Sequence, residues 1–313
     1  MATTNSAAAQ PATAPKLAVW VKTARPFTLT AAVSPVLVGT AVAARAGVFH
    51  PLTFLATLLS CLCLQIAANF FNEYYDYRYG LDHPESLGSS TVIFRNELSA
   101  GQVLGGGIGS FVAAAIFGVA LIALVGPVII LFGVAGMAIA YFYSAAPFKL
   151  ATRGLGDVMV FLAMGFLMTW GAYYVQIHQW SWAAFAASIP VGFIVVAILN
   201  MNNTRDYHDD KAVDKLTLPV RFGQEFGQRF HAFLLVGSYV AVTLFALVGV
   251  LPLLTLAVWL TFPLAWRNVQ GVLHATDRLA FVRGIKATSQ LHLQFGVVFA
   301  LAIAVAAALH LSR

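Results

Sequence analysis

The chain has 313 residues, of which 60% are hydrophobic and only 10% are charged. A soluble globular domain carries roughly 25% charged residues, so this composition excludes that class and indicates a membrane protein. The formal net charge of +6 could suggest nucleic-acid binding, but the basic residues are scattered singly instead of forming one face. We therefore predict a lipid bilayer as the environment and no nucleic-acid partner.

Residues 1–16 are rich in Ala, Thr and Pro and lack the basic and apolar regions of a signal peptide. We predict a disordered tail over 1–16 and a single polytopic membrane domain over 17–313. Nine apolar segments follow, and a transmembrane helix must cross about 30 Å at 1.5 Å per residue. They lie at 23–44, 52–75, 101–125, 128–144, 155–176, 183–203, 230–250, 253–266 and 291–311. The predicted fold is an all-α integral membrane protein with about nine transmembrane helices around a central cavity.

Basic residues predict the orientation of this bundle. The segments between the nine predicted helices fall alternately on two sides of the membrane. Of the 18 Lys and Arg residues, only Arg45 and Arg313 lie on the side opposite the N-terminus. Cytoplasmic loops carry the excess of Lys and Arg in membrane proteins. We therefore predict a cytoplasmic N-terminus and a C-terminus outside the cytoplasm.

Acidic residues show the same bias, which topology does not explain because Asp and Glu contribute little to it. All 12 acids fall on the predicted cytoplasmic side. All but Asp157 and Asp277 lie at or after the ends of the second and sixth predicted helices. Chemistry that needs carboxylates is therefore expected at these two helix ends, on the cytoplasmic side.

The second predicted helix ends in a cluster of amides and carboxylates. Asn69, Asn72, Glu73 and Asp76 are spaced i, i+3, i+4 and i+7, which places all four on one helical face. The C-terminal end of a helix disfavours anions because of the helix dipole. Several carboxylates gathered there need a cation to offset them.

The sixth predicted helix ends in a similar cluster. Asn202, Asp206, Asp209 and Asp210 share a face if the helix continues through them. Both helices run in the same direction through the membrane, so the two clusters could meet over one cavity. Mg²⁺ typically binds one or two carboxylates together with substrate phosphates, so the pattern predicts a site for Mg²⁺ and a diphosphate. The alternative is that solvated acids only balance nearby Lys and Arg.

Basic and aromatic residues near the clusters are further candidates. Arg205 and Lys211 suit contacts with phosphate oxygens. Lys149 and Arg153 follow an aromatic stretch that contains Tyr143, and such aromatics either form an interfacial belt or line a pocket. The basic residues for which topology is the default explanation are Arg78, Arg267, Arg278 and Arg283.

The two clusters resemble the aspartate-rich motifs of the UbiA-type intramembrane prenyltransferases. The residues that carry the resemblance are Asn72, Glu73, Asp76 and Asp82 in the first motif and Asp206 and Asp210 in the second. Glu73 stands where the family often has Asp. Further stretches at 74–82, 147–157, 173–176 and 202–223 resemble the branch that prenylates 1,4-dihydroxy-2-naphthoate. The resemblance runs from about Arg25 to the C-terminus.

The resemblance implies a Mg²⁺-dependent, multi-pass enzyme of the bacterial inner membrane. Such an enzyme transfers a polyprenyl group from a polyprenyl diphosphate to an aromatic acceptor, here 1,4-dihydroxy-2-naphthoate. The acceptor loses its carboxylate, giving a demethylmenaquinone in menaquinone biosynthesis. The implied metal-binding and catalytic residues are Asn72, Asp76, Asp206 and Asp210, with Lys149 as a catalytic orienter or base. The implied substrate-binding residues are Asn69, Asp82, Tyr143, Arg153, Asn202, Asn203, Arg205, Lys211 and Lys215.

Two alternatives remain at this point. The acceptor could be another aromatic compound of the same enzyme class, namely 4-hydroxybenzoate, homogentisate or haem. A secondary transporter is the alternative from another class, and transporters place ionisable residues near the bilayer midplane. The middles of the nine predicted helices contain no Asp, Glu, Lys or Arg, which argues against coupled ion transport.

Overall fold

The computed structural model describes residues 16–81 and 91–310. Within these ranges the ordered structure is helical and contains no strand. The helices are α1 Lys16–Ala24, α2 Thr30–Arg45, α3 Pro51–Arg78, α4 Ala100–Val125, α5 Ile129–Phe142, α6 Gly156–Ile177, α7 Trp182–Arg205, α8 Tyr207–Ala212, α9 Leu218–Phe222, α10 Gln224–Leu247, α11 Phe262–Leu273 and α12 Arg278–Ala308. Short 3₁₀ segments at Pro26–Leu29, Leu150–Arg153 and Leu253–Thr261 precede α2, α6 and α11. The predicted tail lies outside the described residues except for Lys16, where α1 begins.

Each of the nine predicted apolar segments is mostly helical over its described residues, with non-helical residues at several of their ends and at Arg25. In the described part of the chain, seven helices are long and apolar enough to cross a membrane. The other two segments are shorter. Helix α5 has 14 residues, and the eighth segment is divided between the 3₁₀ segment Leu253–Thr261 and α11. The multi-pass membrane architecture is confirmed, whereas the nine crossings and the orientation of the two termini stay predictions.

Local sequence signals explain where several helices begin. Pro51 opens α3, where a missing backbone N–H costs nothing because the first turn has no partner for it. Ser99 and Gln102 form a reciprocal capping box at the start of α4. Asp277 caps α12 by accepting a hydrogen bond of 2.8 Å from the backbone N–H of Ala280. These caps place the helix starts outside the apolar part of the bundle.

Small residues bring the central helices α2, α6 and α7 into close contact. A Cβ built on Gly39 of α2 would lie 2.1 Å from the backbone oxygen of Thr169 on α6. A Cβ on Gly165 of α6 would lie 2.6 Å from the Cα of Gly192 on α7. Transmembrane helices rely on such contacts because lipid provides little hydrophobic drive for their association. The close packing therefore fixes the relative positions of the helices that border the site.

Candidate active site

A polar cavity of about 180 Å³ lies between the ends of α3 and α7. The two motifs predicted from the sequence both line it, so the structure brings together residues more than a hundred positions apart in the chain. The sequence-predicted residues that line the cavity are Asn69, Asn72, Asp76, Tyr143, Asn202, Asn203, Arg205, Asp206, Asp210 and Lys215. Carboxylates, amides and cations thus share one compartment at the end of the bundle.

The α3 side of the cavity is a connected set of hydrogen bonds. The Asn72 amide donates to a carboxylate oxygen of Asp76 at 2.9 Å, and Asn72 Oδ1 accepts from the Arg25 guanidinium at 3.1 Å. The Asn69 amide donates to the backbone oxygen of Ala24 at 2.8 Å and to the Thr28 hydroxyl at 3.0 Å. Asn69 therefore ties α3 to the chain before α2, and Asn72 presents Asp76 to the cavity.

Glu73 points away from the cavity, although it follows Asn72 directly. Its carboxylate is buried, accepts a hydrogen bond of 2.8 Å from the backbone N–H of Val92, and lies 3.8 Å from Arg25. The i+4 spacing placed Glu73 on the same face as Asn69, but it lies at the edge of that face and turns toward the chain before α4. The negative charge of Glu73 therefore lies outside the cavity and helps to hold Arg25, which lines the cavity, in place.

The second motif is at a break in the helix. Helix α7 ends at Arg205, and Asp206 has φ −91° and ψ 11° before α8 begins. Both carboxylate oxygens of Asp206 accept from the Arg205 guanidinium, at 2.8 and 2.6 Å. Arg278 at the start of α12 lies 3.7 Å from Asp206 and also pairs with Asp209. The break turns Asp206, Asp209 and Asp210 all toward the cavity.

Asp210 is the most deeply buried carboxylate of this motif. One of its oxygens lies 3.1 Å from the Lys215 ammonium. The other oxygen is buried without a hydrogen-bond partner among the described residues. The pKa of Asp210 is raised to about 6, mainly by burial. Lys215 acts to lower this pKa, and the neighbouring Asp206 acts to raise it. An added cation would satisfy the free oxygen and keep the carboxylate ionised.

These groups fit a magnesium ion that shares its ligands with a substrate. Among the described residues, no cluster of three or more His, Cys, Asp or Glu side chains is close enough to hold a metal alone. Mg²⁺ does not require such a cluster, because it usually keeps several waters and binds one or two carboxylates together with phosphate oxygens. The unpartnered oxygen of Asp210 and the carboxylate of Asp76 are ligands of this kind on opposite sides of one cavity.

Several predicted residues lie elsewhere. The Lys149 ammonium lies over the Tyr79 ring, 3.4 Å from its centroid, and Lys149 does not line the cavity. Arg153 is exposed and donates to the backbone oxygen of Pro147 at 3.0 Å. Lys211 is exposed on α8. Asp82, predicted to bind substrate, lies outside the described residues.

The structure adds Arg25 to the cavity lining, and Arg278 to its wall through its ion pairs, while Asp209 of the predicted second cluster lines the cavity as well. Sequence reasoning counted the two arginines only as topological, because their partners are 47 or more positions away in the chain. One signal was available for Arg25, which directly precedes Pro26 at a break between apolar helices. Nothing local distinguished Arg278 from the other inner-side arginines.

An apolar cavity of about 160 Å³ adjoins the polar one. It extends between α3, α5 and α6, and the two cavities share four lining residues, Gln65, Tyr143, Val160 and Met164. Helix α6 passes between them with a π-helical stretch, Phe161–Leu167, a feature that often occurs at functional sites. The combined space offers a charged end and a hydrocarbon end.

Solved structures share this fold. A UbiA homolog from Archaeoglobus fulgidus bound to GPP and Mg²⁺ superposes with a TM-score of 0.61 at 16% identity, covering 90% of this chain and 99% of the other. The apo structure of a UbiA homolog from Aeropyrum pernix K1 gives a TM-score of 0.66 at 14% identity, covering 88% and 97%. At such low identity these similarities show the fold alone.

Sequence relatives are closer. The 1,4-dihydroxy-2-naphthoate octaprenyltransferase of Bacillus subtilis (strain 168) is 31% identical over 279 residues, or 89% of this chain and 90% of the relative. The protein of the same name from Escherichia coli (strain K12) is 30% identical over 295 residues, or 91% and 94%. The family described as the UbiA prenyltransferase family matches residues 32–281. The family expected from the two motifs is confirmed: the chain belongs to the UbiA prenyltransferase family and is a membrane-embedded prenyltransferase.

Proposed function

We propose that the protein transfers a polyprenyl group from its diphosphate to 1,4-dihydroxy-2-naphthoate. The observation that carries this proposal is the joining of a charged cavity to an apolar one through four shared residues. A polyprenyl diphosphate has the same division into an anionic head and a hydrocarbon tail. The acceptor is supported by relatives of that name at 30–31% identity over about nine-tenths of the chain.

The diphosphate is held by groups of the charged cavity. Arg25, Arg205 and Lys215 provide the positive charge that phosphate oxygens need. Asn69, Asn202 and Asn203 are further polar groups for contacts with the substrate. Asn72, Asp76, Asp206 and Asp210 are the proposed ligands for Mg²⁺, which would supply positive charge that stabilises the leaving diphosphate.

The reaction starts when the bond between the allylic carbon and the diphosphate oxygen breaks. Positive charge at Arg25, Arg205 and Lys215 stabilises the departing diphosphate. The allylic cation forms near Gln65 and Tyr143, at the boundary of the cavities, where the apolar walls limit access of water. A ring carbon of the acceptor attacks this cation and forms the new carbon–carbon bond. The carboxylate attached to this ring carbon then leaves as CO₂. The electron pair of the broken bond between the ring carbon and the carboxylate restores the aromatic ring, giving the reduced form of a demethylmenaquinone.

Tyr143, Lys149 and Arg153 are the proposed acceptor-side residues. Tyr143 lines both cavities and is therefore next to the reacting carbon of a bound donor. Lys149 and Arg153 lie outside the cavity lining, on the segment between α5 and α6. Their positive charges would attract the acceptor carboxylate on its way to the site. The site is proposed to open to the cytoplasm, so that a soluble acceptor reaches it from that side of the membrane.

Purified enzyme tests this proposal. It is incubated with polyprenyl diphosphates of several lengths and with 1,4-dihydroxy-2-naphthoate, 4-hydroxybenzoate or homogentisate, and products are identified by mass. We expect prenylated, decarboxylated naphthoate that forms with Mg²⁺ and not with EDTA. Transfer to 4-hydroxybenzoate or homogentisate in preference would contradict the proposed acceptor. Equal transfer in EDTA would contradict the metal.

Two substitutions test the carboxylates. Asp76→Asn and Asp206→Asn should each lower kcat by about 100-fold or more, because each removes a charge that holds Mg²⁺ and the diphosphate. Glu225→Gln is the matched control, since Glu225 is exposed, pairs with Arg229 and lies outside the cavity. Thermal unfolding in detergent checks that the variants are folded. Full activity of both Asp variants would refute the metal assignment.

A further inference from the structure

A second polar surface lies outside the active-site cavity, in a groove of about 350 Å³ between α11 and α12. Arg267 on α11 and Arg283 on α12 line the groove, and both side chains are exposed. Within the described ranges neither guanidinium has an ion pair or a hydrogen bond, and no acidic residue lines the groove. The proposed reaction uses neither arginine. Two free cations from adjacent helices therefore face one space.

The polar character of the groove extends along α12. Arg283, Gln290 and Gln294 line it at i, i+7 and i+11, which places them on one helical face over about 16 Å at 1.5 Å per residue. Both glutamine side chains are exposed. In a transmembrane helix, polar groups that face hydrocarbon are costly unless they find hydrogen-bond partners. The two glutamines therefore need a partner whose hydrogen-bond acceptors lie deeper in the membrane than the arginines.

The position of the groove suggests the partner. Arg283 is five residues beyond Arg278, which pairs with Asp209 of the active-site cavity, so the basic end of the groove lies at the same end of the bundle. Membrane lipids place their phosphates at such a level, with glycerol ester oxygens a few ångströms deeper. Exposed Leu264, which lines the groove, and Leu293 on α12 offer apolar surface for acyl chains.

We propose that this groove binds one anionic phospholipid. Its phosphate lies between Arg267 and Arg283, and the amide of Gln290, the nearer of the two glutamines along α12, donates a hydrogen bond to an ester carbonyl. Basic pockets between transmembrane helices are suited to such headgroups. A second copy of the chain is a poor occupant, because a two-fold interface brings the same patch of each copy together. The four arginines would then repel one another with no acid in either groove.

Native mass spectrometry of the full chain in neutral detergent tests the proposal, with dioleoylphosphatidylglycerol and dioleoylphosphatidylcholine as probes. The wild type should retain one phosphatidylglycerol and little phosphatidylcholine. The double variant Arg267→Gln/Arg283→Gln should bind phosphatidylglycerol about tenfold or more weakly. The control Arg229→Gln/Lys286→Gln removes the same charge from residues outside the groove and should bind as the wild type does.

A third variant tests whether the lipid needs the open space of the groove, independently of the charge of the two arginines. Gly271 lines the groove, and a Cβ there meets nothing within 4 Å, so Gly271→Leu fills the groove while keeping both arginines. It should also lose phosphatidylglycerol and keep its thermal stability without lipid. Equal phosphatidylglycerol binding by the wild type, the double variant and Gly271→Leu would overturn the proposal, as would equal binding of the two lipids by the wild type.

Competition distinguishes the other occupants. Glycerol 3-phosphate should not displace the lipid, and displacement would show a site for phosphate alone. Geranyl diphosphate should bind the wild type and the groove variants equally, and weaker binding by the variants would make the groove a donor site. Size measurement in detergent should give the same oligomeric state for all variants. Dissociation of an oligomer in the groove variants would assign the groove to a second copy, and each of these contrary results overturns the proposal.

Discussion

Each carboxylate of the second motif in this site has a basic partner, and Arg278, the partner of Asp209, comes from a distant part of the chain. Asp206 accepts from Arg205, Asp209 pairs with Arg278, and Asp210 pairs with Lys215. A buried or half-buried carboxylate without a partner would be costly and would favour its neutral form. These cations therefore offset the negative charge of the acids, and in the proposed reaction Arg205 and Lys215 contact phosphate oxygens of the donor.

Arg278 should matter for activity although it is not among the proposed ligands of Mg²⁺ or of the diphosphate. Arg278→Gln removes the partner of Asp209 and one neighbour of Asp206. Loss of a hydrogen bond between charged groups should lower kcat/KM for the diphosphate by about tenfold or more, and Arg278→Lys should restore part of it. Steady-state kinetics provide the measurement, with Arg229→Gln as a control that removes an exposed ion pair. An unchanged kcat/KM in Arg278→Gln would show that Arg205 alone suffices.

Lys149 should affect the acceptor more than the donor. Its ammonium lies on the Tyr79 ring beside the cavity, where it can attract a carboxylate without contacting the diphosphate. Lys149→Ala should raise KM for 1,4-dihydroxy-2-naphthoate several-fold and leave KM for the polyprenyl diphosphate unchanged, because only the long-range attraction is lost. Lys149→Arg keeps the charge and is the control. An equal rise in both KM values would contradict an acceptor-side role.

At the scale of elements, sequence periodicity predicted the α3 motif well. Asn69, Asn72 and Asp76 do line one cavity, because α3 is a regular helix through Arg78. The second motif could not be placed so simply. The helix breaks at Asp206, and the turn brings Asp206, Asp209 and Asp210 to the cavity together. Such a break depends on tertiary contacts, including those of Arg278, which a local pattern does not contain.

Contacts between helices could not be predicted from the sequence either. The apolar segments were visible as hydrophobic runs, but the contact partners of their glycines were not. Gly39 of α2 meets Thr169 of α6, 130 positions later. The π-helical stretch Phe161–Leu167 in α6 likewise follows from packing against α7 and the cavities. Element positions are encoded locally, whereas close approaches between elements are not.

The contact between α2 and α6 gives a stability prediction. Gly39→Leu places carbon atoms where the backbone oxygen of Thr169 lies, so α2 and α6 must move apart. Overpacking of this kind should destabilise the protein by about 1–3 kcal/mol. Thermal unfolding in detergent measures the change. Gly105→Leu on α4 is the matched control, because a Cβ at Gly105 meets nothing within 4 Å, and an equal effect of both substitutions would contradict the specific contact.

At the scale of the whole molecule, charge is concentrated at one end of the bundle. Composition alone identified the membrane class. The acidic residues at or after the ends of the second and sixth predicted helices indicated where the candidate site lies. The number of crossings is harder to read, because α5 has only 14 residues and the eighth segment is divided between a 3₁₀ segment and α11. Short segments can be accommodated by local thinning of the bilayer, which sequence does not specify.

Topology mapping tests this point. Nine crossings place the two termini on opposite sides of the membrane, with the N-terminus in the cytoplasm because basic residues favour that side. An epitope tag at the C-terminus should be accessible in intact cells after permeation of any outer membrane, and a tag at the N-terminus only after lysis. Accessibility of both tags from the same side would require an even number of crossings.

The boundary between the two cavities has a consequence for turnover. It is lined by Gln65, Tyr143, Val160 and Met164. In the proposed reaction, a donor straddles this boundary, with its anionic group on one side and its hydrocarbon on the other. Once the allylic bond breaks, nothing joins the two halves, and each fragment prefers a different medium. The diphosphate partitions into water and the prenylated ring into lipid, so the products leave by separate routes and do not readily meet again. In the proposed reaction, this separation slows the return of the products, and the loss of CO₂ favours the forward direction.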